Sequence, residues 1–226
     1  MTAIWPRAAV FDLDGTLVDS APDIALALNT ALKPHGAMPF ASVDVIKLIG
    51  GGAMAAIDKA LLAASLEADP DMRAEILKTF MAAYIDVSAA GRGLFPGAQD
   101  LLGGLNANGI GCGICTNKAE NVATVALKAL GIDHHFKSVV GASPRLAKKP
   151  DAAMLRHNMV ELGVSPRETV MIGDSPADYG VARAAGVPVI LVDFGYTHTP
   201  VRELGADAIV SHLSEIPAAL AAIGSR

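Results

Sequence analysis

Apolar residues run together at Ala8-Ala9-Val10-Phe11 and give way to the acidic turn Asp12-Leu13-Asp14-Gly15-Thr16. A short continuous apolar run closed by turn residues predicts a buried strand over 8–13 with a loop behind it. The rhythm then changes. Ile24, Leu28 and Leu32 recur at helical spacing, and Ser20 with Asp23 forms an imperfect capping box at the start. A second helical pattern follows Gly50-Gly51-Gly52 and carries Ile57 and Leu61. A third opens at Asp69-Pro70, an N-cap followed by a first-turn proline, and places Ile76, Phe80, Met81 and Tyr84 on its apolar face. No stretch between residues 19 and 94 reads as a strand.

From Pro96-Gly97 onward helices and strands alternate: helix 98–108, strand 110–116, helix 119–130, strand 138–142, helix 151–162, strand 169–173, helix 177–185, strand 187–192, a short strand 208–210 and a closing helix 214–223. Such alternation predicts an α/β fold, a doubly wound, Rossmann-like core with a parallel sheet and helices on both faces. The core would comprise 1–18 and 95–226, and 19–94 would be an inserted all-helical domain. Ligands of such sheets bind beyond the carboxyl ends of the strands.

Composition adds limits. At 226 residues and 52% hydrophobic, the chain can bury a large core, and with 18% charged residues it is not a disordered chain. The net charge of −5 comes without a long Lys/Arg cluster, which argues against nucleic acid as a partner, so an anionic small molecule would need a local cationic site. No apolar run of membrane-spanning length and no signal-peptide pattern is seen, so a soluble cytoplasmic protein without a membrane partner is expected. Cys112 and Cys115 have a C-x-x-C spacing, but on a strand residues three apart face opposite sides; two buried structural thiols are expected. The histidines receive no role.

Polar clusters fall at the carboxyl ends of the expected strands: Asp12/Asp14, Thr116/Asn117, Lys149 and Asp174/Asp178. Together they would supply carboxylates, a hydroxyl and a fixed cation, the equipment of phosphoryl transfer. Asp12 and Asp14, two apart, share a side. One can attack phosphorus while the other handles protons, or the pair is simply an acidic turn. Gly15 lets the backbone approach a phosphate. Ser175 and Asp178 read as N-cap and N3 of a helix, and Asp174 beside them as a Mg²⁺ ligand. Lys148-Lys149 is either a surface pair or a source of neutralising charge. Thr116 and Asn117 either cap the following helix or donate to phosphate oxygens.

The string Phe11-Asp12-Leu13-Asp14-Gly15-Thr16-Leu17-Val18-Asp19-Ser20 resembles the first motif of the haloacid dehalogenase superfamily. Thr116-Asn117 resembles the second motif, Lys149-Pro150 the third and Gly173-Asp174-Ser175-Pro176-Ala177-Asp178 the fourth. Within the superfamily, Leu17 to Ile24, Phe194-Gly195-Tyr196 and Gly205-Ala206-Asp207-Ala208 are most similar to phosphoglycolate phosphatases. The resemblance implies a Mg²⁺-dependent phosphomonoester hydrolase acting through an aspartyl-phosphate on a small phosphorylated metabolite. 2-Phosphoglycolate is the leading substrate; another sugar phosphate, or a phosphoglucomutase-like transfer, is the alternative. It implies Asp12 as nucleophile and metal ligand, Asp14 as acid/base and backbone metal ligand, and Asp174 as the further metal ligand. Ser175 and Asp178 would support the metal site. Lys149 would hold phosphate and nucleophile together. Gly15, Thr16, Thr116 and Asn117 would bind substrate. The insert would be a cap closing over the site, with Lys47 facing the substrate.

Overall fold

The computed structural model describes residues 5–225. Strand β1 (Ala8–Phe11) is wholly buried and lies inside a six-stranded sheet. The other strands are β2 (Gly111–Ala119), β3 (Phe136–Ala142), β4 (Thr169–Gly173), β5 (Val189–Val192) and β6 (Ala208–Val210). Their order is β3-β2-β1-β4-β5-β6, and every neighbouring pair is parallel. β1 and β5 are continuous apolar runs because helices cover both faces of the sheet.

The helices are α1 (Ala21–Leu32), α2 (Ser42–Val45), α3 (Ala53–Ala63), α4 (Pro70–Ser88), α5 (Ala98–Ala107), α6 (Glu120–Ala129), α7 (Ala153–Leu162), α8 (Pro176–Ala185) and α9 (Ile216–Gly224). One sheet face packs against α5, α6 and α9 through residues such as Leu102, Leu127 and Leu220; the other packs against α7 and α8 through Leu155 and Val181. Cys112 lies in the first cluster and Cys115 in the second, so the strand pleat separates them as expected. Both are free, and burial pushes each thiol up to about 12. They are apolar fillers, not a redox pair.

Helices α1 to α4 form a layer with its own core, where Leu28, Leu32, Ile57, Ile76 and Phe80 meet; Val122 of α6 joins it. The chain enters and leaves this layer at one place. Val18 bridges Leu94 in antiparallel fashion, Phe95 N–H donates to Leu17 O at 2.9 Å, and Asp19 N–H donates to Gly93 O at 2.6 Å. Gly93 has φ 84°, and a Cβ there would sit 2.4 Å from Asp19 O, so the paired segments demand glycine.

Several local expectations change. The expected capping box at Ser20 is absent: its side chain makes no cap hydrogen bond, and the first amide of α1, on Ala21, donates instead to Tyr196 Oη at 3.0 Å. Thr116 and Asn117 do not cap α6, because β2 continues past a register shift to Ala119. Asp69 does cap α4, accepting from Met72 N–H, and Ser175 with Asp178 closes a reciprocal capping box on α8.

Candidate active site

Strand order reverses around β1, which pairs with β2 on one side and β4 on the other. The crevice past their carboxyl ends is where such sheets bind ligands. Phe11 is in register with Ile172, and Asp12 N–H donates to Ile172 O at 2.9 Å. That pairing brings Asp12 of β1 beside Asp174, the residue after β4.

Asp12 is buried. Its Oδ1 lies 2.9 Å from Lys149 Nζ but closes no hydrogen bond among the described residues. Burial pushes its carboxyl up to about 6 against the pull of Lys149, with Asp178 and Asp14 adding repulsion. Burial alone would lower Lys149, but the carboxylates of Asp12 and Asp178 outweigh it and hold the ammonium firmly protonated. Lys149 Nζ donates to Asp178 Oδ1 at 2.6 Å. The other oxygen of Asp178 accepts from Asp174 N–H, Ser175 N–H and Ser175 Oγ at 3.2, 3.0 and 2.6 Å. Asp178 is therefore spent on holding the lysine and the turn after β4. Gly173 must be glycine for the same reason, since a Cβ there would lie 2.3 Å from the Asp178 carboxyl carbon.

Asp174 is boxed from several sides. Its Oδ1 accepts from Thr16 Oγ1 at 3.2 Å and its Oδ2 from Tyr196 N–H at 2.7 Å. Cβ atoms on Gly15 and Gly195 would sit 2.6 and 2.2 Å from its side-chain atoms. Burial, then the charges of Asp178 and Asp12, raise its carboxyl well above the ordinary range. Asp12, Asp174 and Asp178 offer oxygens within 4.8 Å of one another, a buried acidic group able to hold a cation. The fit is chemical as well as spatial. Carboxylates raised by burial, and further by one another's charge, gain from a cation, and Asp12 Oδ1 has coordination capacity left.

A cavity of about 300 Å³ opens over these groups. Asp12, Asp14, Thr116 and Lys149 lie at its polar end, while Ile24, Ile49, Phe80 and Met81 of the helical layer form an apolar roof. The glycines Gly50, Gly51 and Gly52, all at positive φ, turn the chain along its rim.

Other expected residues sit differently. Lys47 does not face the cavity. Val45 and Leu48 turn inward, which sends Lys47 outward; its side chain is 68% exposed and pairs with Asp44 at 3.4 Å. Asn117 lines the cavity, but its amide is engaged with the main chain of Lys149: Nδ2 donates to Lys149 O at 3.1 Å and Oδ1 accepts from Lys149 N–H at 3.0 Å. Thr16 is fully buried and serves Asp174, and Gly15 backs the same carboxylate. The Asp14 carboxylate lies outside the acidic cluster and pairs with Lys118 Nζ at 2.9 Å.

Lys118 is the main residue the sequence reading passed over. It is buried, donates to Asp14 and to Tyr84 Oη, and lies 4.1 Å over the Tyr84 ring. The available signal was its place two residues after Thr116 on a strand, hence on the same side. Tyr84 of α4 and Tyr196 of the loop after β5 were also given no role, and both line the cavity.

The profile of the haloacid dehalogenase-like hydrolases matches residues 9–192. The phosphoglycolate phosphatase of Rhodospirillum rubrum is 40% identical over 215 residues, covering 93% of this chain and 89% of that protein. That of Caulobacter vibrioides is 38% identical over 209 residues, covering 92% and 88%. The crystal structure of a predicted phosphoglycolate phosphatase from Haemophilus somnus superposes with a TM-score of 0.87 at 30% identity, covering 94% of this chain and 96% of that one. Kinship on this scale, on a sheet that carries Asp12 and Asp174 side by side, has one meaning: the chain belongs to the haloacid dehalogenase-like hydrolases, as a phosphoglycolate phosphatase-like phosphoric monoester hydrolase.

Proposed function

We propose that this chain hydrolyses a small phosphomonoester, foremost 2-phosphoglycolate, in a Mg²⁺-dependent reaction with an aspartyl-phosphate on Asp12. The observation that carries the reading is Asp12 Oδ1: a buried carboxylate oxygen at the carboxyl end of β1, beside Lys149 and the cavity, with no hydrogen bond of its own. Facing an ammonium without closing a hydrogen bond to it, that oxygen keeps lone-pair capacity for metal and phosphorus.

Asp12 and Asp174, with the main chain at Asp14, would hold Mg²⁺, which takes few carboxylates and leaves room for water and phosphate oxygens. The ion supplies positive charge that offsets repulsion between the carboxylate and the phosphate dianion. An Asp12 oxygen attacks phosphorus and the P–O bond to the leaving alcohol breaks, the alcohol oxygen taking a proton from Asp14. Asp14 then takes a proton from water. That water attacks the same phosphorus, the P–O bond to Asp12 breaks, and inorganic phosphate leaves. Lys149, held by Asp178 and by the Asn117 amide, stays charged throughout and neutralises the transferring group. Thr116 lines the same cavity and would bind phosphate oxygens.

Lys118 and Lys149 are the lysines lining the cavity among the described residues. Lys149 is paired with Asp12 and Asp178 deep at the reacting end, and Lys118 with Asp14 and Tyr84; Lys118, beside the helical layer through Tyr84, would meet the carboxylate of 2-phosphoglycolate. Helices α1 to α4 would act as the cap, their apolar roof excluding water during attack. The cavity volume of about 300 Å³ also favours a second reading, a larger sugar phosphate in the same pocket, with chemistry unchanged.

The test is phosphate release from 2-phosphoglycolate, hexose and pentose phosphates and glucose 1-phosphate, with and without Mg²⁺, with pyrophosphate as anhydride control. A large kcat/KM preference for 2-phosphoglycolate supports the first reading. Preference for another ester replaces the substrate, and no release with Mg²⁺ present overturns the hydrolase mechanism.

A further inference from the structure

The metal-site carboxylate and the entrance to the helical layer are joined through one side chain. Tyr196 lies on the loop after β5. Its main-chain N–H holds Asp174 Oδ2 at 2.7 Å, while its hydroxyl donates to Asp19 Oδ1 and accepts from Ala21 N–H at 3.0 Å. Asp19 is the residue whose own N–H pairs with Gly93, where the chain returns from α4. Tyr196 is buried, and its ring lies against Gly15, where a Cβ would sit 3.0 Å from Cδ2. The remaining side-chain hydrogen bonds of this loop run between Thr197 and Thr199, or from the Ser211 hydroxyl to Asp193, and none of these reaches the helical layer. Ser20 leaves the first amide of α1 uncapped, and the Tyr196 hydroxyl takes that duty across the whole fold.

A core tyrosine needs only one partner for its hydroxyl. This one has two, both at the mouth of the insert, and its backbone grips an oxygen of Asp174, a member of the buried acidic cluster. Groups that orient metal-binding side chains tune the affinity of the site without touching the ion. A hydroxyl anchored to the segment 19–21 makes that tuning depend on where the segment stands.

We propose that Tyr196 is a positioning residue that couples the orientation of the Asp174 carboxylate to the hinge segment Asp19–Ala21, so that divalent-cation affinity responds to the placement of the helical layer. The proposal rests on the reading of Asp174 as a metal ligand.

The experiment is a Mg²⁺ titration followed by the rise in thermal midpoint, on the full-length wild type and on Tyr196→Phe, Asp19→Ala and Asp19→Asn. Tyr196→Phe removes the hydroxyl and leaves the ring and the N–H to Asp174. Asp19→Ala reaches the same link from an exposed position and tests it even where the Tyr196 variant fails to fold. Both are expected to raise the half-saturating Mg²⁺ concentration about tenfold, the low end for residues that orient metal ligands. Asp19→Asn, which retains an accepting oxygen, should restore a value near wild type. A purely structural role would lower the metal-free midpoint and leave the half-saturating concentration unmoved, and that result overturns the coupling. A wild type whose midpoint ignores Mg²⁺ overturns the metal reading and the coupling with it.

Discussion

The side-chain amide of Asn117 grips the main chain of Lys149 from both sides, donating to its carbonyl at 3.1 Å and accepting from its N–H at 3.0 Å. The lysine ammonium is thereby aimed from its own peptide group, which fixes where Nζ arrives between Asp12 and Asp178. Asn117→Ala should cost about 1–2 kcal/mol of stability, as two ordinary hydrogen bonds would. It should lower kcat more than it raises KM, because the aim of the charge matters most in the transition state. Steady-state kinetics with a chemical-denaturation curve checks both; an unchanged kcat would reduce Asn117 to a loop staple.

Lys149→Met leaves the carboxylates of Asp12 and Asp178 facing each other in the interior. Breaking a buried pair by removing one partner costs about 3–5 kcal/mol, so the variant should unfold at distinctly lower denaturant and lose activity. A Lys149→Met protein of wild-type stability would mean those carboxyls share a proton rather than an ammonium.

Asp12→Asn is expected to keep the fold, since it removes a carboxylate that burial disfavours and leaves Lys149 its pair with Asp178. Turnover should fall by roughly 10⁴-fold or more, the scale on which nucleophile removal acts. Appreciable Mg²⁺-dependent phosphate release by this variant would sink the nucleophile assignment.

Asp14→Asn should cost about 10²–10⁴-fold in kcat and either trap phosphorylated protein or stop its formation, which mass spectrometry of the quenched reaction distinguishes. Release at the wild-type rate would remove Asp14 from acid/base duty.

The pH dependence of cation binding follows from Asp12, raised from 3.8 to about 6 chiefly by burial. The folded protein binds this proton more tightly than the unfolded chain does. The group therefore favours folding below its unfolded value near 3.8, and the benefit is lost as pH rises through about 6. A cation binds the ionised form and must displace that proton at low pH. The stabilisation conferred by Mg²⁺ should thus be larger at roughly pH 7.5 than at roughly pH 5, as measured by thermal midpoints with and without the ion. Equal stabilisation at both would mean that Asp12 does not titrate in this window.

What could be read along the chain was whatever depends on neighbours in sequence. The strand 169–173 and the capping box joining Ser175 to Asp178 were expected and are present, because an apolar run and a three-residue hydrogen-bond loop are local objects. Thr16, Asn117 and Lys118 were misjudged or missed because each is defined by a partner far along the chain: Asp174 for Thr16, Lys149 for Asn117, Asp14 for Lys118. Lys47 illustrates the opposite error. Its place in the sequence suited the site, but the inward turn of Val45 and Leu48 decided which way it points. Tyr196 and Asp19 are 177 residues apart, and no periodicity links such positions.

The register that sets Phe11 opposite Ile172 joins the first strand of the chain to the fourth. Everything from the helical layer to α7 must be made before β4 can dock there. A chain halted earlier, by truncation or by a stalled refolding step, can contain β1, β2 and β3 with much of their packing and still possess no reaction centre. Recovery of activity therefore reports the docking of β4 against β1, and forms of the protein in which that pair is unmade would be chemically silent rather than partially active.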